Sequence, residues 1–445
     1  MKKIYIFALT LAMVAVSCQK DVHQEVMHQD VVCVSNDDNG YAVSVDEALA
    51  NLDRELDFIY GASTRSGDRP NVRKVHTLHR NAVANATRSG EVNAEELLYI
   101  VEFDEGQGSA ILGADKRVEK VFAVLDESVI TLEDFENAES GQNTDDLSTR
   151  LAGLIIDEAY EQLGYSDLEP KPLLPGLRVS YSVYDTIVNE SAQTLLRTKW
   201  GQRSYYNDYC FGYNGNEKAA GCVPIAAAQL ILYNNYPDQG FINLYGQQFD
   251  RNILNLDRYP RNIPNGYEAT VRDHVARYVG LVSDSLVYSQ VTSSSSIDRI
   301  PKMLRDLGYS YADVIECVGN NTFDREIRQL LYVEKKPTVF EADYDSWENG
   351  HVWVIDGYMY NKVNHWWYTK EGLNIISQEF VGVEESRKVH CNFGWYGDCD
   401  GYYTYAIFDV REPLDEKDIV EEVGDRPSYE DVCFDKTPSV LVYSF

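Results

Sequence analysis

The sequence predicts an α+β protein built from a smaller N-terminal domain and a larger C-terminal domain. The chain has 445 residues, more than a single hydrophobic core usually organises. Helical periodicity and strand-like alternation occur in both halves of the chain. A segment with three prolines, residues 166–176, separates the halves. These observations favour two domains that each combine helices with strands.

The N-terminus is typical of an export signal. Two lysines precede an apolar run, residues 4–16, which is too short for an ordinary membrane-spanning helix. Small residues lead to Cys18, as in bacterial lipoprotein signals, where the cysteine is lipidated. We therefore expect a signal peptide at 1–17, a lipid anchor at Cys18 on the outer membrane or cell surface, and a flexible tether at 18–42. An ordinary signal peptide and later release of the protein both stay open.

The predicted N-terminal domain covers residues 43–165, and a linker at 166–189 joins it to a C-terminal domain at 190–445. Ser44 is a candidate N-cap of the first helix. The letters DEGQG between two strand patterns indicate a hairpin. The predicted elements are a helix at 44–60, strands at 97–103, 109–112, 118–125 and 129–132, a helix at 145–163, and late strands at 352–355, 401–410 and 440–445.

The composition excludes some functions. The formal net charge is −31, so the surface repels phosphate backbones and nucleic acid is not an expected partner. Seven of the 8 cysteines follow Cys18, and an odd number leaves at least one thiol unpaired within the chain. The cysteine spacing contains no pattern typical of a metal site, and we expect neither a metal nor a cofactor.

A candidate nucleophile opens an apolar helix in the letters AAGCVPIAAAQLILYNNYP, residues 219–237. Free N–H groups and the helix dipole at a helix start favour the thiolate of Cys222, which is the reactive form. Gly221 leaves room for a substrate backbone, and Pro224 fits the first turn because its missing N–H needs no partner. A buried core cysteine is the alternative that this motif alone leaves open.

Three further residues complete a candidate catalytic set. His351, 129 residues after Cys222, is spaced like the base of papain-like chains, where about 130 is usual. Asn392 is a candidate to orient the imidazole, although its distance of 170 residues exceeds the usual value of about 150. The excess matches an insertion of roughly 30 residues before it. Gln202 precedes the cysteine, and its amide is a candidate donor to an oxyanion together with the Cys222 N–H.

Four separated motifs resemble those of streptopain-like cysteine proteases and occur in the same order. They read LLRTKWGQRSYYNDYC, GCVPIAAAQLILYNNYP, GHVWVIDGY and NFGWYGDCDGYY, and the resemblance covers about 190–445. It implies a papain-like, two-lobed peptidase with Cys222 as nucleophile and His351 as general base. It also implies that Gln202 helps form the oxyanion hole and that Asn392 orients the imidazole. The region from about 40 to 140 is similar to the inhibitory propeptide of the family.

Candidate substrate-binding residues follow from the same resemblance. A stretch rich in glycine and serine borders the cleft in the family, which makes Ser294 and Ser295 candidates. Gly350 precedes the base, and Trp395 is a candidate cleft wall. Two residues depart from the family pattern: Phe393 stands in place of a tryptophan, and Tyr396 in place of a glycine, where it narrows the expected cleft.

The sequence therefore predicts an exported cysteine endopeptidase, made as a zymogen, that acts on proteins or peptides and carries its own propeptide as an intramolecular inhibitor. Self-cleavage and cleavage by an arginine-directed protease both stay open as activation routes. Two rival functions stay open as well. One is another thiol acyl-transfer enzyme on this fold, such as an amidase or transpeptidase, and the other is a non-catalytic surface-binding lipoprotein.

Overall fold

A computed structural model describes most of the chain between residues 30 and 445. The described residues are 30–31, 41–60, 69–80, 96–142, 146–165, 179–212, 215–237, 240–257, 263, 266–286, 295–317, 320–342, 351–371, 374–408 and 439–445.

The N-terminal domain places helices against a four-stranded antiparallel sheet. After a short strand, β1 (Asp30–Val31), its elements are α1 (Val45–Tyr60), β2 (Val72–His79), β3 (Glu96–Phe103), β4 (Ser109–Gly113), β5 (Val121–Leu125), α2 (Leu132–Glu139) and α3 (Leu147–Tyr165). Both predicted helices and the predicted hairpin lie within two or three residues of these bounds. The Oγ of Ser44 accepts a hydrogen bond from the Glu47 N–H at 3.2 Å, as expected of an N-cap.

The strand predicted at 129–132 is wrong, because α2 begins at Leu132. The Thr131 hydroxyl accepts from the Asp134 N–H at 3.2 Å, and the Asp134 carboxylate accepts from the Thr131 N–H at 2.6 Å. This reciprocal pair is a capping box. It turns the chain into a helix where apolar alternation alone had favoured a strand.

The C-terminal domain has a helical part and a sheet part. Its elements are β6 (Val179–Ala192), α4 (Cys222–Asn234), β7 (Phe241–Leu244), β8 (Gln247–Asp250), α5 (Arg251–Leu254), α6 (Glu268–Leu286), α7 (Ile300–Asp306), β9 (Tyr311–Glu316), α8 (Asn320–Ile327), β10 (Thr338–Ala342), β11 (His351–Glu371), β12 (Asn374–Asn392), β13 (Gly401–Thr404) and β14 (Ser439–Ser444). The apolar helix α4 packs against α6 and against β11, so it links the two parts. This confirms the predicted α+β class and its two lobes.

One antiparallel sheet runs through both domains. Its strand order is β2-β3-β4-β5-β13-β12-β11-β10-β14-β9, and β6 pairs with β11. The domains meet where β5 pairs with β13, with Leu125 opposite Gly401. At this crossing a side chain on Gly401 would put its Cβ 2.5 Å from the Val124 carbonyl oxygen, so only glycine fits. The N-terminal domain thus extends the sheet of the C-terminal domain by four strands.

A shared hydrophobic core reinforces this junction. Phe122 and Ile155 of the N-terminal domain belong to the same buried cluster as Cys391, Phe393 and Tyr403 of the C-terminal domain. All five side chains are at most 2 % exposed. Separation of the domains would therefore expose apolar surface as well as a strand edge.

The segment predicted as an insertion forms a long hairpin. Strands β11 and β12 span 21 and 19 residues and pair along almost their whole length. Strand β6 adds a third strand beside the distal part of β11. Since β6 begins at Val179, the second half of the predicted linker is a strand, in agreement with the alternating letters VSYSVYDTIV.

The described cysteines, Cys210, Cys222, Cys317, Cys391 and Cys399, are all free thiols. Among the described helices, none combines the length and apolar character that crossing a membrane requires. The predicted lipidation site, Cys18, lies outside the described residues.

Candidate active site

The Cys222 thiol lies at the N-terminus of α4, as the sequence predicts. Gly221 is the N-cap with φ of 97°, a left-handed conformation that glycine adopts without strain. The backbone N–H groups of Cys222, Val223 and Val352 face the sulfur and favour its thiolate form. Burial outweighs these groups and raises the pKa of the Cys222 thiol. In this form of the protein the sulfur is therefore protonated at neutral pH.

The imidazole of His351 is presented by the first residue of β11, next to Val352. The strand is fixed at this point because His351 pairs with Ala342 of β10. Nε2 lies 3.0 Å from the Phe393 carbonyl oxygen. A carbonyl only accepts, so Nε2 carries the proton and Nδ1 carries the lone pair that a general base requires.

Aromatic rings shield this imidazole from water. The rings of Trp353 and Phe393 stack against it with centroids at 5.9 and 6.2 Å, and the Trp395 ring meets it edge-on at 6.2 Å. Burial lowers the pKa of His351 to about 4, and the nearby positive charge of Arg150, from α3 of the N-terminal domain, acts in the same direction. The imidazole is therefore neutral at pH 7.

The structure places Cys222 and His351 close together, and both side chains are uncharged at neutral pH. The Val352 N–H that faces the sulfur belongs to the residue directly after His351. Within the described part of the chain, the hydrogen bond of the imidazole goes to Phe393 O and not to the sulfur. A thiol beside a neutral imidazole is less nucleophilic than a thiolate–imidazolium pair, so this geometry is a resting arrangement.

The side chain of Asn392 was predicted to orient the His351 imidazole, but it hydrogen-bonds to other groups. Its Oδ1 accepts from Gln229 Nε2 at 3.1 Å and from the Gly394 N–H at 3.3 Å, and its Nδ2 donates to Thr198 O at 2.8 Å. The side-chain amide is thus fully engaged in the core, and the adjacent Phe393 carbonyl holds the imidazole instead. The loop at 392–394 still supplies the acceptor, but from its backbone.

The backbone of Gln202 lies close to the segment that carries the nucleophile. Its carbonyl accepts from the Ala220 N–H at 2.9 Å, two residues before Cys222. Trp395 is 38 % exposed and contacts His351, as expected of a cleft wall. The hydroxyl of Ser295 donates to Leu286 O at 2.7 Å and so holds a loop to the end of α6. Two other candidates, Ser294 and Gly350, fall outside the described residues.

A second histidine, His390 on β12, has a different environment. Nδ1 lies 2.6 Å from the Asp356 carboxylate, and Nε2 lies 3.2 Å from the carboxylate of Asp126, which belongs to the N-terminal domain. Burial alone would lower the pKa of His390, but the two carboxylates outweigh it and raise the pKa well above the usual value. His390 is therefore charged at neutral pH and acts as a structural residue rather than a base.

Two residues near the site were not singled out from the sequence. Gln229 is fully buried and ties α4 to Asn392. The sequence did contain a signal for Gln229, because it is the single polar residue among the apolar positions 223–232 and a buried polar group needs a partner. Arg150 approaches His351 from the N-terminal domain, and no local pattern could have predicted that long-range approach.

Part of the chain matches a known protein family. Residues 200–403 match the model of the Peptidase C10 family. This part of the chain is therefore similar to the cysteine peptidases of that family. The matched region contains all four residues proposed from the sequence as catalytic.

Two solved structures are similar to the chain. A fragment of prointerpain A from Prevotella intermedia has a TM-score of 0.45 and 17% identity, over 84% of this chain and 99% of that one. The active wild-type interpain A cysteine protease from the same organism has a TM-score of 0.35 and 19% identity, over 56% of this chain and 94% of that one. No curated protein matches the chain.

Proposed function

We propose that the chain is an exported cysteine endopeptidase made as a zymogen, with Cys222 as nucleophile and His351 as general base. One observation carries the proposal. The sulfur at the start of α4 contacts the N–H of the residue that follows His351, inside the region that matches the Peptidase C10 model. Proteins or peptides are the proposed substrates, and the chemistry requires no cofactor.

The proposed reaction transfers an acyl group through the sulfur. His351 Nδ1 takes the thiol proton, and the resulting thiolate attacks the peptide carbonyl carbon. The carbonyl oxygen becomes an oxyanion that the Cys222 N–H and the Gln202 amide stabilise. The imidazolium then protonates the leaving amine, and the C–N bond breaks. Water, deprotonated by His351, hydrolyses the thioester and releases the acid and the free thiol.

The N-terminal domain is the proposed inhibitor. Support comes from its contacts beside the site, where the Ser128 hydroxyl accepts from the Cys399 N–H at 2.7 Å. Further support comes from Lys388 of β12, whose fully buried ammonium lies 2.8 Å from Glu55 and 3.7 Å from Glu119 of the N-terminal domain. Loss of the domain would leave this charge without its partners, so the association is specific. Lipid anchoring at Cys18 is proposed from the signal sequence alone.

Alkylation of Cys222 tests the proposal. We expect iodoacetamide to modify Cys222 slowly in the full-length chain, with a rate that rises towards alkaline pH because the thiol pKa is raised. After limited proteolysis removes the N-terminal domain, solvent reaches the imidazole and a thiolate–imidazolium pair forms. The rate at pH 6 should then increase at least tenfold and become nearly independent of pH, and casein hydrolysis should appear.

Two variants serve as controls. In His351→Ala the activated chain should return to slow, pH-dependent alkylation, and Cys222→Ala should hydrolyse no casein. Buried Cys317 provides the reference rate within the same protein. Casein hydrolysis by Cys222→Ala, or equal rates at Cys222 and Cys317 in the activated wild type, would refute the proposed mechanism. If a trapping amine, rather than water, is the preferred acceptor, the protein is a transpeptidase.

A further inference from the structure

Tyr396 has an unusual backbone conformation next to the candidate oxyanion hole. Its φ is 65°, in the left-handed region that residues with a Cβ rarely adopt. Such a conformation costs on the order of 1–2 kcal/mol and persists only when surrounding contacts enforce it. The partners of Tyr396 therefore show which segment its strained conformation supports.

The hydrogen bonds of Tyr396 go to the segment that carries Gln202, and its ring also packs against Tyr206 at 5.9 Å. The Tyr396 N–H donates to Trp200 O at 3.1 Å, and its phenol oxygen accepts from the Arg203 N–H at 2.9 Å. The ring covers Gly201 so closely that a Cβ there would lie 2.2 Å from the ring atom Cζ. Tyr396 thus contacts the two residues before Gln202 and the residue after it.

This segment lacks other regular support. Residues 200–203 belong to neither a helix nor a strand, so no ladder of backbone hydrogen bonds fixes them. On the side of the nucleophile, the Gln202 carbonyl accepts from the Ala220 N–H. On the other side, Tyr396 hydrogen-bonds to both Trp200 and Arg203, while the buried Trp200 side chain donates from Nε1 to Asp257 O at 2.7 Å. Gln202 is therefore held between the start of α4 and the phenol of Tyr396.

We propose that Tyr396 is a positioning residue that holds Gln202 for oxyanion stabilisation. The proposal rests on the proposed function, in which the Gln202 amide donates to the oxyanion. Such a donor acts only within about 2.7–3.1 Å of the developing charge, so a small displacement of its backbone weakens catalysis. The hydroxyl of Tyr396 acts through Arg203 and does not itself touch the reacting atoms.

Removal of the hydroxyl tests the role with little disturbance of the ring. In Tyr396→Phe, measured on the full-length chain after activation by limited proteolysis, we expect kcat for a peptide substrate to fall about tenfold with KM unchanged. Loss of an entire oxyanion donor costs about 10²–10³-fold, which sets the upper limit. The alkylation rate of Cys222 by iodoacetamide should not change, because that displacement forms no oxyanion.

A matched control comes from the same domain. The hydroxyl of Tyr209, an exposed tyrosine, donates to Asp273 at 2.6 Å, and Tyr209→Phe should leave kcat unchanged. In Gly201→Ala the new Cβ would displace the Tyr396 ring, so kcat should fall at least as far as in Tyr396→Phe. Both positioning variants should also weaken inhibition by a peptide aldehyde, whose adduct with Cys222 carries the oxyanion.

A double-mutant cycle isolates the coupling. If Tyr396 acts through Gln202, Tyr396→Phe should lower kcat tenfold in the wild type and have no effect in Gln202→Ala. An equal effect in both backgrounds would overturn the positioning role, as would a Tyr396→Phe enzyme that is as fast as the wild type or faster. A Gln202→Ala variant with wild-type kcat would overturn the oxyanion role of Gln202 itself. Activity in Cys222→Ala would instead refute the peptidase mechanism.

Discussion

His351 and His390 lie on neighbouring strands of one sheet, at the start of β11 and near the end of β12, yet the protein gives them opposite properties. Burial lowers the pKa of His351 to about 4, among three aromatic rings. For His390 the carboxylates of Asp356 and Asp126 outweigh the unfavourable burial and raise the pKa. Removal from water is common to both residues. The presence of a carboxylate decides which of them carries a proton at neutral pH.

The difference separates a reactive histidine from a structural one. A base has to gain and lose a proton near neutral pH, and a neutral imidazole with a free Nδ1 is ready to do so once its surroundings become more polar. An imidazolium between two carboxylates keeps its proton and so fixes the strands around it. Sequence proximity of a histidine to Asn392 is therefore a poor guide to its role.

The largest effect is expected from removal of the reactive histidine, His351. In His351→Ala, kcat/KM of the activated chain for a peptide substrate should fall about 10³-fold, within the range that loss of a general base produces. The free energy of unfolding should fall by about 1–2 kcal/mol, because the truncation leaves a cavity beside three aromatic rings around a partly buried position. Steady-state hydrolysis and urea unfolding measure the two quantities.

The control for this prediction is another partly buried histidine of the C-terminal domain. His274 on α6 accepts from the Asp250 N–H at 2.9 Å, and His274→Ala should retain wild-type kcat/KM. If His351→Ala retains more than a tenth of the activity, His351 is not the base. Hydrolysis by His390→Gln at less than a hundredth of the wild-type rate in a folded chain would point to His390 instead.

A smaller effect, on stability, is expected from removal of the charge of His390. In His390→Gln the buried carboxylate of Asp356 loses its cation, and the free energy of unfolding of the full-length chain should fall by about 3 kcal/mol at pH 6.5. Because the folded pKa of His390 lies above the unfolded value of about 6.5, the stabilisation is present below pH 6.5 and is lost as the pH rises through the folded pKa.

Urea unfolding at several pH values checks both magnitude and sign. The difference between wild type and His390→Gln should be largest near pH 6.5 and should decrease only at alkaline pH. A difference that grows with increasing pH would contradict a charged His390. His79→Gln, at an exposed position of β2, should show no such difference.

Local features of the fold were predictable from the sequence, and long-range ones were not. Helix α1, helix α3, the hairpin of β3 and β4 and the start of α4 at Cys222 follow from periodicity and turn residues, which act over a few positions. The pairing of β5 with β13 joins residues more than 270 positions apart. No single-sequence pattern encodes such a partner.

The candidate site divides in the same way. Residue type made Cys222, His351 and Gln202 candidates, because thiol acyl transfer needs a nucleophile, a base and an oxyanion donor, and spacing supported His351. The hydrogen bond from His351 goes to a backbone carbonyl, and every residue carries one, so Phe393 could not be singled out. The contact of Asp126 with His390 depends on how the two domains meet, which local sequence does not determine.

The last prediction concerns the separate contributions of Asp126 and Asp356, the two carboxylates that contact His390. Asp126 is 33% exposed in its side chain whereas Asp356 is fully buried, so solvent screens the interaction of Asp126 more strongly. Asp126→Asn should therefore lower the free energy of unfolding of the full-length chain by only about 1 kcal/mol. The buried pair of His390 and Asp356 should retain most of its contribution.

Urea unfolding together with amide hydrogen exchange distinguishes the roles. Since the Asp126 N–H also donates to Asp400 O at 3.0 Å, next to β13, the weaker contact in Asp126→Asn should speed exchange in β13 more than in α4. Asp104→Asn, at an exposed turn of the N-terminal domain, is the control and should change neither quantity. A loss equal to that of His390→Gln would make Asp126 the main partner of His390. The charge of this histidine would then depend on the N-terminal domain, and His390 would resemble His351 once that domain has left.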